Sequence, residues 1–180
     1  MNILITILLV IAGIIALILI IAMVMRKKHY VQREIIINAP KQKVFDYIKM
    51  LKNQEAFNKH AQAGTDRKKE LKGTDGTVGF IYAWSGNKDA GKGEKEIKNI
   101  VEGEKVEMEI RFEKPMKVSA DIIMETEAIS DHQTRVYWSN AGTLPYPVNF
   151  LIPVMEKHVK KDMDSSLSTL KNILETHQKN

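Results

Sequence analysis

The chain has 180 residues, no cysteine, 27 basic and 22 acidic side chains and a net charge of +5. Without thiols it has no disulfide scaffold, thiolate nucleophile or thiolate metal site. Arg26, Lys27 and Lys28 sit together, and from residue 29 on 24 basic side chains stand against 22 acidic ones. The net charge is therefore mostly local to one flank, and a nucleic-acid role gains no support from it.

Ile3 to Met25 holds no charged side chain and one polar one, Thr6. At about 1.5 Å per residue a helix of this length reaches roughly 34 Å, enough to cross a hydrocarbon core with slight tilt. A cleaved signal peptide would want a basic start, a shorter apolar run and a better cleavage site than Ala22-Met23-Val24. A soluble core helix would carry polar positions. The expectation is a retained single-pass anchor, residues 1–28, in the cell membrane. Its basic flank, Arg26 to His29, would hold a second domain, residues 29–180, on the cytoplasmic side and is suited to anionic lipid. The five residues from Arg26 to Tyr30 reach at most ~17 Å, so that domain must lie against the bilayer.

Tyr30–Ala39 (YVQREIIINA) reads as a strand. Pro40 then opens a helix in which Val44, Phe45, Ile48 and Leu51 recur at helical spacing. A second short helix is expected around Asn53–His60, and Thr65–Lys72 as an edge strand. Thr77–Ser85 alternates, with Val78, Phe80, Tyr82 and Trp84 on one face. Gly91–Glu102 follows, and Glu104–Pro115 sets Val106, Met108, Ile110 and Phe112 against Glu107, Glu109, Arg111 and Glu113. Lys117–Ser130 and Gln133–Leu144 continue the pattern, and GTDGT (73–77) and SGNKDAG (85–91) supply turns. From Val148 the apolar positions 148, 152, 155, 159, 163, 167, 170 and 174 describe one long amphipathic helix. Pro147 suits its start, and Pro153 is placed to kink its first turns. The sum is an α+β domain of about seven antiparallel strands whose apolar face this helix must cover.

The order of elements resembles the START-like (SRPBCC) superfamily of the polyketide cyclase/dehydrase type over about residues 30–176. REIIINAPKQKVFDYI, GTDGTVGF, WSGN…GKGEKEI and the closing LSTLKNILE carry the resemblance. It implies a helix-grip fold, a curved sheet wrapped around the C-terminal helix, with a hydrophobic ligand held between them. Functions in that superfamily range over cyclases, dehydratases, lipid transfer and quinone binding.

No chemical signature stands out. His29, His60, His132, His158 and His177 lack metal-ligand spacing. GKGEKE (91–96) lacks the Ser/Thr of a phosphate loop and reads as strand, so no cofactor is expected. Tyr82, Trp84, Met108, Phe112, Met124 and Trp138 share the inward face of the sheet and either fill a core or line an apolar pocket. On the closing helix Met155 and Val159 belong to the apolar stripe. At ~100° per residue Asp162 lies about 70° from the stripe's centre and Ser166 nearer still. These ten are the candidate pocket residues. His158, one turn before Asp162, makes with it either a solvated pair or an acid–base pair. Three readings stay open: a membrane-tethered binding module for a lipid, quinone or polyketide-like molecule, a cyclase/dehydratase-type enzyme, or a ligand-free regulatory domain. An apolar patch at 142–147 (GTLPYP) would favour the last.

Overall fold

A computed structural model of the chain describes residues 2–59, 67–86 and 91–176. The first element, α1 (Ile3–Val24), stands outside the domain. Its apolar side chains are exposed, and among them only Ala22 is buried. It is the one described helix long and apolar enough to cross a membrane, with a mean hydropathy of 3.4. A core helix of a soluble protein would be mostly buried instead.

Seven antiparallel strands follow in the spatial order β1-β7-β6-β5-β4-β3-β2. They are β1 (Lys28–Ile37), β2 (Lys68–Lys72), β3 (Ile81–Ser85), β4 (Lys92–Val101), β5 (Lys105–Lys114), β6 (Val118–Ser130) and β7 (Gln133–Thr143). Two short helices, α2 (Lys41–Ile48) and α3 (Leu51–Phe57), separate β1 from β2. A 3-10 turn (Val148–Leu151) leads into α4 (Ile152–Thr176). The strand alternation expected from sequence holds over β5, β6 and β7, where Val106, Met108, Ile122, Met124, Val136 and Trp138 are all buried.

Three expectations are corrected. The strand read from Thr77 begins only at Ile81, because Gly73, Gly76 and Gly79 all take positive φ and extend the turn. Val78 is consequently exposed, while Phe80 is held inward by backbone bonds with Ile97. The second short helix ends at Phe57, and its start is capped from the GTDGT turn, where Asp75 accepts the N–H groups of Leu51 (2.8 Å) and Lys52 (3.0 Å). Pro153 falls at the second residue of α4, where its missing N–H is tolerated, and the 3-10 turn before it absorbs the geometry. His60, His177, the first residues of the expected edge strand and the middle of the 85–91 turn lie outside the described residues.

The connection to α1 is tighter than a free tether. Only Met25, Arg26 and Lys27 separate α1 from β1. Asn149, fully buried, donates through Nδ2 to Ala22 O (2.7 Å) and Met25 O (3.0 Å), carbonyls the helix end would leave unpaired. Arg26 pairs with Glu156 of α4 at 2.8 Å, and Leu144 N donates to Lys27 O at 2.9 Å. The end of α1 is thus seated on the domain at the junction of β7 and α4.

Candidate functional site

The two halves of the sheet's inner face are filled differently. Inter-strand rows run Trp138–Met124–Val106 and Asn140–Ile122–Met108–Ile97 across one half. Phe45, Ile48, Phe57, Leu167 and Leu170 cover that half and make the core. The rows Gly142–Ala120–Ile110–Lys95 and Val118–Phe112 cross the other half, where β1 begins and α1 leaves. The small residues Gly142 and Ala120 leave space between the sheet and the helix there. A Cβ on Gly142 would come within 2.6 Å of the His29 ring and 2.8 Å of Ser119 O, so only glycine admits that ring.

Between this half and the first turns of α4 lies a largely enclosed cavity of about 290 Å³. Its walls are mainly apolar: Ile110, Phe112, Ile122, Leu144, Met155 and Met163. The lining residues are graded in exposure. Lys95, Ile122, Trp138 and Met163 are buried, whereas Met116, Val118 and Met155 are half-buried. The mouth therefore lies at the edge formed by the β5–β6 turn, the end of β7 and the start of α4. That is the edge at which α1 departs.

Of the ten expected residues, Phe112, Trp138, Met155, Val159 and Asp162 line the cavity. Met108 and Met124 fill the core instead, because their rows are covered by α2 and α3. Tyr82 and Trp84 stand beside the cavity, with Trp84 packed edge-on to Phe112 at 5.7 Å. Burial and a hydrogen bond with Glu55 push the Tyr82 hydroxyl far above its usual range. Ser166 is buried and ties two segments together: it accepts Lys59 N at 3.0 Å and donates to Asp162 O at 2.7 Å. His158 and Asp162 go separate ways. The exposed His158 ring bonds the Val154 carbonyl of its own helix at 2.9 Å, and Asp162 pairs with Lys59 at 3.1 Å. In the GTLPYP loop Leu144 is turned into the cavity, leaving Tyr146 exposed.

The polar lining residues escaped the sequence reading. Lys95 is buried in the wall, and its ammonium donates to Gln54 Oε1 at 2.9 Å. Gln54 is in turn held by the Ile48 carbonyl and Met108 Sδ. Burial lowers the Lys95 pKa from its ordinary 10.5 to about 8. His29 lines the opposite side, with Nε2 bonded to Asn140 Oδ1 at 2.9 Å and Nδ1 buried without a partner among the described residues. The Trp138 Nε1 proton is likewise buried and unpartnered. The signal for Lys95 was present: Gly93, Lys95 and Ile97 share the inward phase of β4, where a lysine is out of place.

No protein-family model matches the chain, and no curated protein matches its sequence. Solved structures do match its shape. Norcoclaurine synthase from Thalictrum flavum, solved with a transition-state analogue, aligns over 84% of this chain and 96% of its own with a TM-score of 0.64 and 12% identity. Ara h 8.0201 aligns over 83% and 99% with a TM-score of 0.58 and 16% identity. The Aha1 dimer of Colwellia psychrerythraea aligns over 81% and 96%, at 0.55 and 15%. The chain shares with these proteins a seven-stranded curved antiparallel sheet closed by a long C-terminal helix, the helix-grip fold.

Proposed function

We propose that the protein is a membrane-anchored binding module, with residues 1–28 as anchor and 29–180 as the ligand-holding domain, and that its cavity takes a hydrophobic or amphipathic small molecule from the bilayer. One observation carries this reading: the mouth of the cavity lies at the edge of the sheet from which the apolar helix leaves. With α1 in a membrane, the seating of its end by Asn149 and Arg26 turns that edge toward the lipid. Tyr146, Leu151 and Val154 are exposed apolar residues beside it, and Lys27, Lys28, Lys114 and Lys117 add positive charge there. Such a mixed apolar and basic rim suits the headgroup layer of an anionic leaflet. The basic flank favours a cytoplasmic position for the domain.

An enzymatic role would need an acid–base set in the cavity. His158 stands outside it, so the pair with Asp162 offers none. The binding reading is tested by native mass spectrometry of the full-length protein released from membranes in mild detergent. A stoichiometric apolar molecule, lost on substituting Trp138 with a charged residue, supports it. An unliganded mass with no uptake from a panel of lipids and quinones moves the weight to a partner-binding role.

A further inference from the structure

Lys95 is a buried ammonium in a mainly apolar wall. Its neighbour Gln54 is neutral, and among the described residues no carboxylate bonds to it. Asp162, the one carboxylate among the described lining residues, is engaged by Lys59. The ammonium has three protons and uses one of them among the described residues. A buried cation without a counter-charge is costly, and an anion supplied by a ligand would remove that cost through a charge-assisted hydrogen bond. Trp138 also lines the cavity, and its buried Nε1 has no partner among the described residues, a second donor that a ligand's acceptor would satisfy.

Size and donor type narrow the class. A volume of about 290 Å³ holds about ten groups the size of a water molecule. A lysine can hold a phosphate as a point charge, but a phosphate dianion brings more charge and more acceptor oxygens than one ammonium satisfies, whereas a carboxylate matches it in charge. The lysine lies in the buried part of the cavity, and the half-buried Met116, Val118 and Met155 lie toward the mouth.

We propose that the cavity is a site for a carboxylate-headed amphiphile, its head bound by Lys95 and its alkyl chain leading out past Met116, Val118 and Met155 toward the bilayer. This deepens the binding reading above and rests on it.

The test compares decanoate with methyl decanoate and decyl phosphate, titrated by calorimetry against the full-length protein in lipid nanodiscs at pH 7. The expected result is that decanoate binds at least about tenfold more tightly than the ester or the phosphate, the share of one charge-assisted bond. In Lys95→Met and Lys95→Gln the acid should fall to the affinity of the ester, and the ester itself should bind as before, which also reports that each variant is folded. Equal affinity for acid and ester in the unaltered protein overturns the proposal and leaves the binding module standing. So does an acid preference that survives both substitutions, or tighter binding of the phosphate. If none of the three binds, both the proposal and the binding reading fall.

Discussion

Replacing Lys95 by methionine should stabilise the protein. Burial lowers the lysine's pKa from 10.5 to about 8. Below pH 8 the folded state therefore carries a buried charge at a cost of about 3 kcal/mol relative to the unfolded chain. Methionine occupies a similar volume and removes that cost, but strands Gln54 Oε1, a loss of ~1 kcal/mol. The net gain at pH 7 is about 2 kcal/mol, which for a domain of this size raises Tm by roughly 6 °C. The sign with pH follows from proton binding. Between pH 8 and 10.5 the unfolded lysine is still protonated while the folded one is not, so the unaltered protein gains stability as pH rises through that window. The advantage of Lys95→Met should shrink over the same window, vanish near pH 10 and turn by pH 10.5 into a small deficit left by the lost Gln54 bond. Thermal unfolding of the two full-length proteins in the same micelles, followed by circular dichroism from pH 7 to 10.5, measures the difference directly. A variant less stable than the original at pH 7, or a gap independent of pH, would refute the account of Lys95 as an uncompensated buried cation.

Three further outcomes are expected. Ala120→Phe projects a ring into the cavity rather than into packed core, so ligand uptake in the native mass spectrum should fall at least about tenfold while stability changes by less than ~1.5 kcal/mol. Asn149→Ala removes both bonds to the end of α1 and should cost about 2 kcal/mol. Spin–spin distances between labels on α1 and on α4 should broaden in that variant. His158→Ala should leave ligand uptake unchanged and stability within ~0.5 kcal/mol, because the exposed ring bonds only to its own helix.

The sheet was readable in the chain because its inner face is apolar and its outer face charged. On the outer face Arg111 lies among Glu94, Glu96 and Glu109, and Arg111 and Glu109 are among the residues whose alternation with Met108, Ile110 and Phe112 marked the strand. Element order was equally legible. The boundary between core and cavity was not. Met108 and Phe112 read identically as inward positions of β5, yet one lies under α3 and the other under the open start of α4. Their difference depends on where the covering helices cross the sheet, a long-range property with no local pattern. The polar lining was missed for another reason: Lys95 and His29 break the inward phase of β4 and β1, and attention to apolar positions passes over such breaks. The seat for α1 depends on Asn149 meeting Ala22 across 127 positions, which no periodicity encodes.

If α1 anchors the chain as proposed, the cavity fills from the bilayer at the edge where α1 leaves. Trp84→Phe leaves Trp138, in the cavity wall, as the sole tryptophan. The most direct measurement is the fluorescence of Trp138 in this variant, reconstituted into vesicles with a rising fraction of a nitroxide-labelled fatty acid. The account predicts saturable quenching of Trp138 that Ala120→Phe abolishes. Fluorescence that matches unlabelled vesicles at every fraction, or quenching that Ala120→Phe leaves intact, would contradict it.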